Sequence, residues 1–215
     1  STPLATILGF SELLIENNIQ TENDRQDYAQ IIYDKAESLA RLLDEMLDIS
    51  RIESGIPLEL HLDVRQVDEL FLPTIEQYQK REKDRLFDVD LATPTVLLRV
   101  DPDKIAQIME NLLSNAVKFS EKSSPISITG QVTNEGYRLT ICDQGIGMTS
   151  EQTNHAFEKF YRGDTADKAI KGTGLGLTIT RHIVDEHHGK IWLEKRTEKG
   201  TKIHVLLPIP EKGTV

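Results

Sequence analysis

Residues 143–176 decide the fold, because they begin with DQGIG (residues 143–147) and end with GTGLG (residues 172–176). Glycine lets the backbone approach a ligand closely, and the N–H groups at the start of a helix attract phosphate. Neither segment has the spacing of a dinucleotide fingerprint or the Lys-Ser/Thr pair of a Walker loop. Residues 148–171 lack sustained periodicity, and loops of that length are often lids. The pattern predicts a nucleotide-phosphate site under a lid.

An amphipathic helix precedes this stretch. Asp101-Pro102 marks its start, because a carboxylate caps the first turn and proline suits the first helical position, and we predict that it continues to Phe119. Asn111, Asn115 and Lys118 form a stripe beside the apolar face, at the rim of the core. Amides at positions i and i+4 share one helix face and can present oxygens to a metal ion. The apolar face comprises Ile105, Ile108, Met109, Leu112 and Ala116.

The rest of the chain predicts a helical hairpin followed by an α+β domain. Gly55 and Pro57 end the long second helix, so we place the domain boundary between residues 56 and 57. The order of elements favours helices on one face of a mixed sheet, with a late antiparallel meander. Periodicity predicts helices over 3–18, 24–55, 67–83 and from the second glycine segment to about residue 188, and strands over 58–64, 86–91, 95–100, 126–132, 137–141, 190–196 and 201–207.

Composition excludes several classes of function. The 215 residues carry a formal net charge of −10, which argues against general nucleic-acid binding, and the one cysteine, Cys142, rules out an internal disulfide framework. No apolar run is long enough to span a membrane. We therefore expect a cytoplasmic location, whereas the membrane attachment of a parent protein stays open. The 11 acidic and 4 basic side chains of residues 1–55 form either a solvated surface or a docking face for a basic partner.

Four motifs in order resemble those of the sensor histidine kinases of two-component signalling. These are Asn111-x-x-x-Asn115, Asp143-x-Gly145-x-Gly147, Phe157-Glu158-Lys159-Phe160 and Gly172-x-Gly174-x-Gly176, similar to the N, G1, F and G2 boxes of the Bergerat (GHKL) ATP-binding fold. The resemblance covers essentially the whole chain. It implies that residues 1–56 are a dimerising, phospho-acceptor helical hairpin and that residues 57–215 are an α/β sandwich that binds ATP and Mg²⁺.

The first residues of the chain are similar to the tail of the family's H box. Ser1-Thr2-Pro3-Leu4 matches its end, which places the phospho-acceptor histidine three residues before Ser1. The predicted first helix is also about half as long as its partner. We therefore expect a hairpin truncated at its N-terminus and a chain that cannot phosphorylate itself. Thr2 holds the place of a residue that, in this family, can orient water to dephosphorylate the partner regulator; an ordinary helical threonine is the alternative.

The resemblance also implies roles for individual residues. Asn115 would bind Mg²⁺ through its amide oxygen, and Asn111 and Lys118 would assist at the phosphates. Asp143 would accept a hydrogen bond from the adenine amino group, because a carboxylate accepts and does not donate. Lys159 and Arg162 either reach the terminal phosphate or are solvated charges. The remaining expected nucleotide contacts are Phe119, Gly145, Gly147, Gly172, Thr173, Gly174, Leu175 and Gly176.

Three functions remain open on the sequence. In a histidine kinase the γ-phosphoryl group goes to a protein histidine, and the partners are a second copy, through helices 3–18 and 24–55, and a response-regulator receiver domain. A gyrase-type ATPase has a glutamate where this chain has Asn111, and an amide is not a general base. Glu110 would point about 100° away. A non-catalytic scaffold that docks a receiver domain is the third reading, and the intact motifs weigh against it.

Overall fold

The computed structural model describes residues 3–16, 21–92, 95–161, 173–194 and 199–210. The chain divides into two compact units, Ser1–Gly55 and Ile56–Val215. Each is described by itself below. Among the helices of the described ranges, none combines the length and the hydropathy needed to cross a bilayer.

The first unit is a hairpin of two helices, α1 (Pro3–Ile15) and α2 (Glu22–Glu53). Thr21 caps α2 by a reciprocal capping box, in which its Oγ1 accepts from the Asp24 N–H at 3.1 Å and the Asp24 carboxylate accepts from the Thr21 N–H at 2.9 Å. Gly55 follows the helix with a φ of +63°, a conformation that glycine tolerates and that ends helices. The predicted stop at Gly55 is therefore confirmed.

The hairpin leaves large apolar side chains in solvent. The rings of Phe10 and Tyr28 pack at 5.1 Å and join α1 to α2. Several other apolar side chains of the two helices are more than half exposed. They are Leu4, Leu8 and Ile15 on α1, and Tyr33, Leu43, Met46 and Leu47 on α2.

The second unit is a mixed sheet backed by helices, as the α+β prediction required. Its elements are β1 (Asp63–Gln66), α3 (Val67–Arg81), β2 (Phe87–Leu91), β3 (Leu97–Val100), α4 (Pro102–Phe119), β4 (Ile126–Thr133), β5 (Gly136–Cys142), α5 (Ser150–His155), α6 (Gly176–Glu186), β6 (Lys190–Leu193) and β7 (Lys202–Leu207). The main sheet has the strand order β2-β4-β5-β7-β6, with β2 parallel to β4 and the other pairs antiparallel. A separate two-stranded sheet pairs β1 with β3.

The core lies between one face of the main sheet and helices α3, α4 and α6. All five residues predicted for the apolar face of α4 are buried. Phe71 of α3 stacks on Tyr137 of β5, with ring centroids 6.1 Å apart, which joins a helix to the sheet. Residues from every layer are at most 1% exposed, among them Phe71, Ile75, Ile105, Ile108, Met109, Leu113, Ile128, Leu139, Ile179 and Ile183.

Asp101 caps α4 as predicted and also ties α4 to α6. Its Oδ1 accepts from the N–H groups of Asp103 and Lys104 at 3.0 and 3.1 Å, and its Oδ2 accepts from the His61 N–H at 2.9 Å. Burial alone would raise the pKa of Asp101, but these three backbone donors lower it. The Asp101 N–H donates to Nε2 of His187, after the end of α6, at 2.9 Å. The helix that carries Asn111, Asn115 and Lys118 is thus fixed to the helix that begins at Gly176.

Two predictions of secondary structure were wrong. The strand expected at 58–64 is instead β1 at Asp63–Gln66, because only these residues lie opposite β3 and can form ladder hydrogen bonds. The segment 148–171, expected to lack regular structure, contains α5, which begins with a capping box of Thr149 and Gln152. A helix of six residues is too short to produce a detectable periodicity.

Candidate functional site

The polar stripe of α4 lies where it was predicted. Asn111, Asn115 and Lys118 are each half-buried at the rim of the core. Nδ2 of Asn111 donates to the carbonyl of Gly176 and to Oγ1 of Thr180, each at 3.4 Å, and so contacts the first turn of α6. Within the described part of the chain, no hydrogen bond holds the amide of Asn115. The structure therefore brings the N-box residue Asn111 and the G2 residue Gly176 together.

Asp143 lies at the end of β5 and is held by the backbone. It is 6% exposed, and its Oδ1 accepts from the N–H groups of Gly145 at 2.8 Å and Thr201 at 3.1 Å. The Thr201 carbonyl accepts from the Asp143 N–H at 2.9 Å. Gly147 and Gly200 have φ values of +71° and +105°, and a Cβ on Gly147 would lie 3.0 Å from the Gly200 carbonyl oxygen. Glycine is required for this close approach of two loops.

The carbonyl of Phe119 joins the end of α4 to the G1 segment. It accepts from the Ile146 N–H at 3.1 Å, and a Cβ on Gly145 would collide with it. Nζ of Lys118 lies 5.0 Å from the centroid of the Phe119 ring, within the range of a cation–π contact. Phe119 and Gly145 thus lie next to each other, where the end of α4 meets the loop after Asp143.

The described part of the G2 segment is a tight turn into α6. Gly174 has a φ of +73°, and a Cβ there would lie 2.9 Å from the Tyr161 carbonyl oxygen. The Gly174 carbonyl accepts from the Phe160 N–H at 3.1 Å. Oγ1 of Thr173 accepts from the Leu175 N–H at 3.3 Å. The backbone N–H groups at the start of α6 therefore lie beside Asn111, and helix starts of this kind attract phosphate.

Glu110 faces away from the stripe. Its Oε1 accepts from the Tyr78 hydroxyl at 2.8 Å, and the guanidinium of Arg81 lies 4.1 Å from the centroid of the Tyr78 ring. Burial, and then the charge of Glu110, raise the pKa of Tyr78 to about 12. The neutral phenol is therefore a persistent donor to this carboxylate.

The other candidate residues have varied outcomes. Lys159 is exposed. Thr2, Arg162 and Gly172 lie outside the described residues. No sequence pattern singled out Thr180, Gly200 or Thr201, which contact Asn111 and Asp143. The one available signal was the glycine of the turn before β7, since a glycine between strands can mark a close backbone approach.

The oxygen ligands that α4 offers suit Mg²⁺ better than a transition metal. Among the described residues, no group of three or more His, Cys, Asp or Glu side chains could hold a metal ion. Amide oxygens such as those of Asn111 and Asn115 are hard ligands. Mg²⁺ commonly takes one or two protein oxygens and completes its shell with water and substrate phosphates. These residues therefore suit a cation that arrives with a nucleotide.

Family comparison agrees with this arrangement. Residues 100–211 match the family described as histidine kinase-, DNA gyrase B-, and HSP90-like ATPase, and residues 1–55 match the His Kinase A (phospho-acceptor) domain. The layered sheet with its glycine-bounded site is thus an ATPase-type sandwich. The chain belongs to the histidine kinase-, DNA gyrase B- and HSP90-like ATPase family, and the two matches in this order are those of a sensor histidine kinase.

Similar proteins include several named as sensor or histidine kinases. Sensor protein kinase WalK of Staphylococcus haemolyticus is 28% identical over 210 residues, which are 96% of this chain and 34% of that protein. The chain thus spans between about a third and a half of the length of the curated relatives that it matches. A full-length ShkA structure in complex with AMPPNP is 25% identical with a TM-score of 0.70, over 97% of this chain and 43% of that one. Acinetobacter baumannii histidine kinase AdeS has a TM-score of 0.71 at 18% identity, over 98% and 96% of the chains, and shows the fold alone.

Proposed function

We propose that this chain is the catalytic core of a two-component sensor histidine kinase. It binds Mg-ATP and transfers the γ-phosphoryl group to a histidine, for relay to a response-regulator aspartate. Residues 1–56 form the dimerisation and phospho-acceptor hairpin, and residues 57–215 form the ATP-binding domain. The observation that carries the proposal is the amide of Asn111 at the position of a hydrolytic glutamate, beside a Glu110 carboxylate that accepts from Tyr78.

Adenine is recognised by Asp143 in this proposal. Its Oδ1 accepts from the N–H groups of Gly145 and Thr201, and we assign Oδ2 to the adenine amino group. A carboxylate accepts from that amino group and offers no donor to the carbonyl of guanine. Gly145 and Gly147 keep the backbone close to the base, and Phe119 lines the pocket.

The phosphates lie between α4 and the start of α6. Asn115 supplies an oxygen to Mg²⁺, Lys118 supplies a positive point charge, and the backbone of Thr173, Gly174 and Leu175 supplies N–H donors. Mg²⁺, when bound, neutralises the charge of the triphosphate. The rest of catalysis is positioning, because phosphoryl transfer needs little covalent chemistry from the protein. Lys159, Arg162 and Gly172 complete the phosphate contacts in this proposal.

The choice between a kinase and an ATPase depends on the absence of a general base in the stripe. Asn111 cannot take a proton from water. Glu110 is the nearest carboxylate along α4, and Tyr78 holds its Oε1. This arrangement favours transfer to a protein histidine over hydrolysis.

The partners follow from the exposed apolar side chains of the hairpin. A second copy that packs α1 and α2 against its own would bury Leu8, Leu43 and Leu47, each more than half exposed in the single chain, in a four-helix bundle. The receiver domain of a response regulator is the second partner. Dephosphorylation of that regulator through Thr2 is a further activity that the proposal includes.

Two measurements test the proposal. Calorimetry should show ATP binding that strengthens with Mg²⁺, and a phosphate-release assay should show slow turnover that Glu110→Gln leaves unchanged. Rapid, steady phosphate release that Asn111→Ala abolishes would instead identify a gyrase-type ATPase. A chain that binds a receiver domain but no ATP would be a scaffold.

A further inference from the structure

Thr180 forms a buried hydrogen-bond relay between Asn111 and the first residue of α6. Its side chain is 0% exposed, and its hydroxyl donates to the Gly176 carbonyl at 2.8 Å. Because that hydroxyl proton is committed, Oγ1 meets Asn111 as an acceptor, at 3.4 Å from Nδ2. The Gly176 carbonyl is also an acceptor and lies 3.4 Å from the same nitrogen. Both neighbours therefore require the NH₂ group of Asn111 to face α6.

This constraint fixes the amide oxygen as well. A Cβ on Gly176 would lie 3.4 Å from Oδ1 of Asn111, so the oxygen borders the first turn of α6. That turn is where the proposed site places the phosphates. An amide locked in this orientation offers an acceptor to its surroundings, and an acceptor suits a cation or its water ligands and not a phosphate oxygen.

We propose that Thr180 is a positioning residue that locks the amide of Asn111 so that Oδ1 serves Mg²⁺ or its water. Asn111 then acts with Asn115 on the cation and does not donate to the triphosphate. The inference rests on the proposed function, since it needs Mg-ATP at this site.

The test is the Mg²⁺ dependence of nucleotide binding by the 215-residue chain, measured with a fluorescent ATP analogue. Thr180→Val keeps the shape and removes the hydroxyl, whereas Thr180→Ser keeps the hydroxyl. We expect Thr180→Val to raise the Mg²⁺ concentration for half-saturation about five-fold, the change that one ordinary hydrogen bond corresponds to. Binding without Mg²⁺ should be unchanged, and Thr180→Ser should behave as wild type.

Thr153→Val is the matched control. Its hydroxyl also donates to the carbonyl four residues earlier, that of Thr149, at 2.9 Å, but it does not touch Asn111. Wild-type Mg²⁺ dependence in Thr180→Val, or an equal shift in Thr180→Ser or Thr153→Val, would overturn the inference.

A second measurement needs no ligand. The side-chain NH₂ resonances of Asn111, followed by ¹⁵N NMR, should move in Thr180→Val and stay in place in Thr180→Ser. If they stay in place in both variants, the lock does not exist, whatever the chain binds. If they move but the wild-type chain binds no nucleotide, the proposed function fails and the orientation of the amide stands.

Discussion

The hydroxyl of Tyr78 donates a 2.8 Å hydrogen bond to Oε1 of Glu110, across the interface of α3 and α4. Burial, followed by the charge of this carboxylate, raises the pKa of Tyr78 from 10.0 to about 12. The hydrogen bond therefore keeps the carboxylate of Glu110, the residue before Asn111, turned away from the polar stripe of α4. It also makes the stability of the fold depend on pH in the alkaline range.

Tyr78→Phe should weaken that dependence. Because the folded pKa is raised, the contribution of Tyr78 to stability is full below pH 10.0 and is lost as the pH rises towards about 12. We expect the urea midpoint of the wild-type chain to fall between about pH 9 and about pH 11 by more than that of Tyr78→Phe. Tyr33→Phe, at an exposed position, is the control. Equal slopes in wild type and Tyr78→Phe would contradict the prediction.

Asp143→Asn should change base selectivity more than stability. The amide oxygen can replace Oδ1 as the acceptor from Gly145 and Thr201, so NH₂ takes the place of Oδ2. A donor then faces the adenine amino group, and a lost hydrogen bond to a charged group corresponds to a drop in ATP affinity of about ten-fold or more. Dissociation constants for ATP and GTP should converge. A variant that keeps the wild-type preference for ATP would place adenine elsewhere.

Asn115→Ala should remove the benefit of Mg²⁺. The wild-type affinity for ATP should rise when Mg²⁺ is added. In the presence of Mg²⁺ the affinity of the variant should be roughly ten-fold lower than that of wild type, because one of the few protein ligands of the cation is gone. Calorimetry with and without Mg²⁺ measures this. Asn134→Ala, at the exposed turn between β4 and β5, should retain the full effect. Undiminished Mg²⁺ dependence in Asn115→Ala would rule out this metal ligand.

Arg85→Met should destabilise the catalytic unit. The buried guanidinium of Arg85 donates to the carbonyls of Val117, Ser120 and Ser124 and to the Ser120 hydroxyl, and so caps the C-terminal end of α4. Its loss leaves these acceptors unpaired and should cost roughly 2–4 kcal/mol in urea unfolding.

The control for this change is Arg65→Met. Arg65 is half-exposed in an ion pair with Asp63, and its replacement should cost no more than about 0.5 kcal/mol. Similar losses of unfolding free energy in the two variants would show that the cap on α4 contributes no more to stability than a surface ion pair.

The 215-residue chain should bind Mg-ATP without labelling itself. Its six histidines are His61, His155, His182, His187, His188 and His204, all outside the hairpin of residues 1–55. Two of them are committed to buried hydrogen bonds, His187 to the Asp101 N–H and His204 to Thr140 and Glu194. Incubation with radiolabelled ATP should leave no acid-labile phosphate on the protein. Stable labelling of a histidine would contradict the prediction that none of these six histidines is the phospho-acceptor.

Local signals made much of this fold predictable. Helix α4 begins and ends where Asp101, Pro102 and the apolar spacing indicate, because caps and periodicity are local. The turn between β4 and β5 also follows from its residues, Thr133 to Gly136. The strand expected at 58–64 failed because a strand needs a partner, and alternation alone cannot say which residues have one.

The candidate site was less predictable because its supports are distant in sequence. The motifs identified Asn111 and Asp143, but the groups that orient them come from Thr180 and Thr201. A threonine inside an apolar helix and a threonine after a turn carry no sign of their partners. Only the packing of α6 on α4, and the pairing of β7 with β5, brings these side chains to their targets.

The hydrogen bond from Thr201 to Asp143 spans 58 positions of the chain, with its donor at the threshold of the final strand. A nascent chain in which Thr201 is still inside the ribosome tunnel lacks one of the two backbone N–H donors to the Asp143 carboxylate. Since domains generally fold as units during synthesis, we expect nucleotide binding to begin only after Thr201 and β7 have left the tunnel. Under the proposed role of Asp143, the late position of β7 in the chain therefore delays the first binding of ATP.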